Sequence, residues 1–175
     1  MKRYTLFALF ATLFTLGVRA NTDIPEALTS LKNFQQNTPE LVSSGLPDAS
    51  HFAALKAMGV TRVIDLIPGD RSDEQAVVSG LGLTYHNVPV IWENPTVGNF
   101  RQYVSYMQQD GAAPGKTLTH CKLNWRGAVF TYLYRVTELG QSDAEAKQDL
   151  LSVWTPNDTW QAFIDKVKAD AGVSD

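Results

Sequence analysis

The sequence predicts an α/β fold of three layers, a mainly parallel central sheet flanked by helices on both faces. Three observations predict it. Short runs rich in β-branched residues alternate along the chain with apolar residues at helical spacing. Glycines follow the helical stretches, as helix-terminating residues do. Finally, the one cysteine, Cys121, stands where a predicted strand gives way to a predicted buried helix, and open parallel sheets gather their binding sites at the carboxyl ends of strands.

The elements follow in order. Ser44-Gly45-Leu46-Pro47-Asp48 reads as a loop, followed by a helix through Phe52, Leu55 and Met58, a terminating Gly59 and a buried strand Thr61-Arg62-Val63-Ile64-Asp65-Leu66. Ser72 and Asp73 open a second helix through Val77 and Val78, which Gly80 and Gly82 end. Leu83 to Val88 alternates as a strand, and Pro89 marks its end. After the loop Ile91-Trp92-Glu93-Asn94-Pro95, Thr96 caps a helix with the apolar face Phe100, Tyr103, Val104 and Met107, ending near Gly111. Lys116 to His120 is a short strand, and from Ala128 the spacing of Val129, Phe130, Leu133, Tyr134 and Val136 gives a buried helix that stops at Gly140. Two further amphipathic helices begin near Ser142 and Asn157. No repeat, low-complexity tract or long linker interrupts this order.

The first twenty residues form a separate unit. Lys2 and Arg3, an apolar run from Tyr4 to Phe14 and the small-residue site Val18-Arg19-Ala20 occur in the order of a secretory signal peptide. The run is too short for an uncleaved anchor, which needs about 20 apolar residues. The expectation is therefore a leader at 1–20, a single domain at 21–175, and a periplasmic or secreted protein with no stable membrane insertion after cleavage. The mature chain would carry 12 Lys+Arg against 18 Asp+Glu, a net charge near −6. That balance disfavours nucleic acid, whose binding rests on many phosphate-neutralising cations.

Cysteine usage narrows the chemistry. One cysteine allows no intrachain disulfide, and a lone exported thiol risks oxidation, so its presence asks for a reason. One cysteine and three histidines offer no metal-binding spacing, and neither a structural metal nor a cofactor is expected.

The loop His120-Cys121-Lys122-Leu123-Asn124-Trp125-Arg126-Gly127 supplies that reason. Its backbone amides should converge at a helix N-terminus and form a nest for anions. The same field favours a thiolate. Arg126 can hold two oxygens of a tetrahedral anion in its planar fork while Cys121 attacks. Cys121, Arg126 and an acid are thus the expected catalytic groups, and Lys122, Leu123, Asn124, Trp125, Arg126 and Gly127 the expected phosphate-binding segment. Asn124 tolerates the left-handed conformation that such a turn can require.

These residues carry a resemblance. Ser44-Gly45-Leu46-Pro47, Val63-Ile64-Asp65-Leu66, Val88-Pro89-Val90, Asn94-Pro95-Thr96, the Cys121 loop, Trp154-Thr155-Pro156 and Trp160-Gln161-Ala162-Phe163 resemble the bacterial tyrosine-phosphatase-like proteins related to the phosphatase-like domain of the beta-lactamase-hydrolase-like family. The resemblance covers most of the mature chain. It implies a tyrosine or dual-specificity phosphatase-like fold, Cys121 as nucleophile, Arg126 as phosphate-binding arginine, no cofactor, and a phosphorylated protein or small phosphate ester as partner. Glu93 lies roughly where such enzymes carry a mobile acid-bearing loop, which makes it the expected general acid. Asp65, Asp70, Asp73 and Glu74 are alternatives, with capping the plain reading of Asp73. Two departures stand out. Four residues separate Cys121 from Arg126 where five are usual, and Gly127 replaces the customary Ser or Thr.

The loop leaves three functions open. An exported phosphatase working through a phosphocysteine leads. A rhodanese-like sulfurtransferase also places a cysteine in a short strand-to-helix loop, and an oxyanion or phosphopeptide-binding module would arise if the short loop had lost turnover. Elsewhere the plain readings are preferred. His51 and His86 are surface or strand residues, and His120 is either structural or a tuner of the thiol. Lys122 is solvated or adds charge at the pocket rim. Trp92, Trp154 and Trp160 pack, and Trp125 walls the pocket. The sequon Asn157-Asp158-Thr159 is a chance match.

Overall fold

The computed structural model describes residues 24–109 and 114–173. The leader and the boundary at Asn21 lie outside the described residues. Within them the expected alternation appears: β1 (Gln35–Gln36), β2 (Leu41–Ser44), α1 (Ala49–Ala57), β3 (Val60–Asp65), α2 (Ser72–Gly80), β4 (Thr84–Asn87), α3 (Val97–Met107), β5 (Lys116–His120), α4 (Trp125–Thr137), α5 (Asp143–Val153) and α6 (Asp158–Asp170), after a 3-10 turn at Glu26–Leu28.

The strands form one sheet in the order β1-β2-β5-β3-β4, with β1 antiparallel and every other pairing parallel. β5, which delivers Cys121, is therefore central. It pairs with β2 from Leu41↔Thr117 to Ser44↔His120 and with β3 as far as Asp65↔His120, so three strands end side by side. The loops leaving those ends meet at one edge, and the site is built there.

Side chains alternate across the sheet, as strand geometry requires. Leu41 and Ile64 face a core shared with α3, α4, α5 and α6, whereas Val42, Val63 and Leu118 face a second core with Phe52, Leu55 and Val78 from α1 and α2. Two cores on two faces make the three layers. α4 is buried along nearly its whole length, from Gly127 to Val136, because the sheet lies on one side of it and α5 and α6 on the other.

The caps follow the sequence. Asp48 accepts from His51 N, Thr96 from Asn99 N, Ser142 from Glu145 N and Asn157 from Trp160 N, each satisfying a backbone donor that a helix start leaves open. Asn157 thus has a structural task within its sequon. Gly59, Gly82 and Gly140 take positive φ just beyond α1, α2 and α4. Three expectations shift. α3 ends at Met107, before the expected Gly111, which lies outside the described residues. α4 begins at Trp125 rather than Ala128. β1 and β2 are additional strands, and β2 runs directly into the segment read as a loop.

Candidate active site

Cys121 leaves β5 at the floor of a cavity of about 170 Å³, lined by Trp92, Cys121, Lys122, Leu123, Trp125 and Arg126. The thiol residue is 1 % exposed and borders this cavity. Four expected loop residues, Lys122, Leu123, Trp125 and Arg126, converge on it. Asn124 and Gly127 do not line the cavity; both are buried and shape the turn instead.

Asn124 takes φ 64°, the left-handed region, as the residue before the first turn of α4. Asn reaches that region more readily than most residues because its short polar side chain bonds locally. Its Nδ2 donates to Asn33 O at 2.8 Å and to Ser43 Oγ at 3.0 Å. This placement explains Gly127. A Cβ there would stand 2.3 Å from Asn124 Oδ1, so the amide of Asn124 fills the space a Ser or Thr would need. Gly45 is constrained in the same way. A Cβ on it would meet Lys32 Cβ at 2.8 Å, Lys32 O at 2.9 Å and Lys122 O at 3.0 Å, because three segments press together beside the loop.

Arg126, on the first turn of α4, is fixed by two contacts. Its Nε donates to Val90 O at 3.0 Å, and its guanidinium carbon lies 5.3 Å from the centre of the Trp92 ring. Among the described residues no hydrogen bond or ion pair engages its terminal nitrogens, which are the bidentate edge of the fork. Val90 and Trp92 belong to the segment after β4, so that segment orients the arginine.

The tryptophans form one cluster. Trp92 lies 5.6 Å from Trp125, 5.3 Å from Trp154 and 5.0 Å from Trp160 between ring centres, and Trp125 stacks on Trp154 at 5.3 Å with planes 15° apart. Trp154 Nε1 donates to Trp125 O and Trp160 Nε1 to Trp92 O, so both indole donors are used. Trp154 and Trp160 pack, as expected. Trp92 does more, since it also walls the cavity and faces Arg126. Trp125 is the wall that the sequence suggested.

Glu93 is exposed and is not among the cavity-lining residues, although its neighbour Trp92 is. The alternative acids have other partners. Asp70 Oδ1 accepts from Ser72 N at 2.9 Å. Asp73 sits in the first turn of α2 beside a second, larger hollow of about 270 Å³, which Arg71 and Glu74 also line.

Asp65 and Glu74 belong to a buried polar network below the loop. Asp65 accepts from Ile67 N, Arg71 Nε and Tyr85 OH, and Glu74 pairs with Arg71 Nη2 at 2.6 Å and with His120 Nε2 at 3.1 Å. Burial would raise the Glu74 pKa, but pairing with His120 and then Arg71 outweighs it and holds the carboxyl below its ordinary value. Tyr85 is pushed upward, first by burial and then by Asp65. His120 therefore faces carboxylates, with the edge of Phe52 against its ring. Ligand atoms of Asp65, Glu74 and His120 lie within 4.8 Å of one another, but Arg71 already serves the two carboxylates as their cation. His51 and His86 have local roles. His51 Nδ1 accepts from Asp48 N, and His86 stacks on Tyr106 at 4.2 Å.

The residue that sequence reasoning missed is Asn33. Its Nδ2 donates to Leu123 O at 2.8 Å while its own carbonyl accepts from Asn124. Its left-handed φ of 48° had no motif to announce it.

The fold matches solved structures. A DUF442 protein from Shewanella putrefaciens CN-32, described as a candidate phosphatase, is 32% identical with a TM-score of 0.71, over 83% of this chain and 97% of that one. P. aeruginosa TpbA is 21% identical with a TM-score of 0.61, over 82% of this chain and 92% of its own. The core catalytic domain of the PP-IP phosphatase SIW14 from S. cerevisiae is 18% identical with a TM-score of 0.65, over 81% and 92%. The last two share the fold. No family model and no curated protein matches the chain. A cysteine and an arginine closing one strand-to-helix loop, on a sheet shared with a 32%-identical protein along nearly its whole length, place this chain in the DUF442 family, with the fold of the tyrosine-phosphatase-like proteins.

Proposed function

We propose that the protein is an exported cysteine-dependent phosphatase that hydrolyses a phosphate monoester through a phosphocysteine. The observation that carries this reading is the pairing of the buried Cys121 with an Arg126 whose Nε is tied to Val90 O and whose terminal nitrogens are free of other partners among the described residues. The phosphoryl group enters above Cys121, and Arg126 and the loop amides balance its charge as it transfers. Sγ forms a bond to phosphorus while the ester P–O bond breaks. The departing oxygen takes a proton from Glu93, which this reading assigns as the general acid. Water then attacks phosphorus, Glu93 takes its proton, and Sγ leaves as inorganic phosphate forms. For Glu93 to reach the cavity from its exposed position, the segment from Ile91 to Pro95 must close over the bound ester. Neither a metal nor a cofactor has a step in this scheme.

Export rests on the order of charge, apolar run and small-residue site in residues 1–20, and gives a mature chain beginning at Asn21 in the periplasm or outside the cell. Mass spectrometry of the exported species should find that terminus, and an intact Met1 or Lys2 on the exported protein would refute it.

The chemistry is tested by hydrolysis of aryl and alkyl phosphate monoesters by wild type, Cys121→Ser and Glu93→Gln. The serine variant should lose hydrolysis. Glu93→Gln should slow poor leaving groups far more than activated aryl esters, since proton delivery contributes about 10²–10⁴-fold only where the leaving group needs it. Equal slowing of both ester types would assign the acid elsewhere.

A further inference from the structure

Every carbonyl between Cys121 and Arg126 is taken by a donor. Lys122 O accepts from Leu46 N at 3.2 Å, Leu123 O from Asn33 Nδ2 at 2.8 Å, Asn124 O from Ala128 N at 2.8 Å and Trp125 O from Trp154 Nε1 at 2.9 Å. A pocket for an anion works only if carbonyl oxygens stay out of it, because a lone pair facing an oxyanion repels it. Three of these bonds come from backbone amides or from a residue stacked on the loop. The bond to Leu123 is different, since its donor is the side-chain amide of a residue 90 positions earlier that does not itself stack on the loop.

We propose that Asn33 is a positioning residue for the anion pocket: it holds the Leu123 carbonyl off the cavity and so sets the shape of the short Cys121–Arg126 loop. The inference rests on the phosphatase reading above. Leu123 lines the cavity and is 40 % exposed, so its backbone bridge to Gly45 and the bond from Asn33, rather than side-chain packing, hold its peptide. The trans peptide is planar, and rotating the unit between Leu123 and Asn124 moves its oxygen and its N–H together. Asn33 Nδ2 fixes the oxygen, and Asn33 O fixes the Asn124 side chain through Nδ2. Both asparagines occupy the left-handed region, with φ 48° and 64°, and the pair is closed by the Asn33 side chain on the Leu123 carbonyl and the Asn124 side chain on the Asn33 carbonyl. The carbonyl of Lys32, one residue before Asn33, accepts from Gly45 N at 2.6 Å, which seats the Asn33 turn against the loop that follows β2.

The test uses Asn33→Gly and Asn33→Asp. Glycine tolerates the positive φ and removes the donor. Aspartate keeps the shape and puts an acceptor where the donor was. Both retain the backbone carbonyl that receives Asn124. Calorimetric titration with tungstate, thermal melting and aryl phosphate kinetics are measured on the mature protein for wild type and both variants. Tungstate affinity should fall about tenfold in Asn33→Gly, the effect expected for one lost hydrogen bond that orients an anion site, and further in Asn33→Asp. kcat/KM should fall in parallel, with the melting temperature nearly unchanged. A lowered melting temperature with wild-type tungstate affinity would mean that Asn33 merely supports the fold, and would overturn the inference. Failure of the wild type to bind tungstate would instead overturn the phosphatase reading, and this inference with it.

Discussion

At the residue scale, the site is a set of mutual exclusions as much as a set of functional groups. The absent hydroxyl after Arg126, which the sequence presents as a departure, follows from Asn124. The two side chains cannot share the space, since a Cβ on residue 127 falls 2.3 Å from Asn124 Oδ1. Gly127→Ser should therefore destabilise the protein by about 1–3 kcal/mol, the usual cost of overpacking, and Asn124→Gly in the same chain should recover a large part of that loss. Denaturant unfolding of the two single variants and the double variant checks this. Strict additivity would separate the two positions. Arg126→Lys tests the grip. It keeps the charge and loses the planar fork, so KM should rise and kcat fall together. Asn124 was legible in the sequence because few residues accept a left-handed φ, whereas Asn33 was not, because its partner lies far along the chain and no local pattern marks it.

At the scale of elements, the end of β3, the start of α2 and the end of β5 are tied by buried charge. Asp65 is fully buried, and Arg71 bridges it to Glu74 while His120 meets Glu74 from the other side. Removing one member of such a pair leaves an uncompensated charge, which typically costs about 3–5 kcal/mol. Arg71→Leu should show a loss of that order in denaturant unfolding, although Arg71 itself is partly exposed. A change below about 0.5 kcal/mol, as expected of a plain surface position, would contradict this role for Arg71. Among the described residues the sequence made the strands β3, β4 and β5 and the helices α1 to α6 visible, because their apolar spacing is long enough to repeat. β1 is two glutamines, and β2 ends in two serines before Gly45, so neither carries a period that could be read. Those two strands are what bring Asn33 and Ser43 to the Cys121 loop.

At the scale of the whole molecule, the three-layer order places the Cys121 loop at the centre of the sheet, and ion pairs between partly buried carboxylates and their partners tie the surrounding elements together. Glu74 is held below its ordinary pKa despite burial, through His120 and Arg71, and Asp143 likewise through Tyr132 and Lys168. A depressed folded pKa means that, between that value and the ordinary carboxylate value, the unfolded chain binds a proton the native chain does not. Their contribution is therefore present above the ordinary value, about 4–4.5, and is lost as pH falls through the depressed one. Unfolding free energy should decline with acid in that window, and Glu74→Gln should flatten the decline. An unchanged slope would remove Glu74 from the account.

The central claim, covalent catalysis by Cys121, is tested most directly by acid quenching the mature protein during turnover of an aryl phosphate, followed by peptide mass spectrometry. The account predicts a phosphoryl group on the peptide bearing Cys121 in wild type and none in Cys121→Ser, which should also be inactive. Hydrolysis that continues in Cys121→Ser, or turnover with no phosphorylated Cys121 peptide while another residue carries the group, would contradict it.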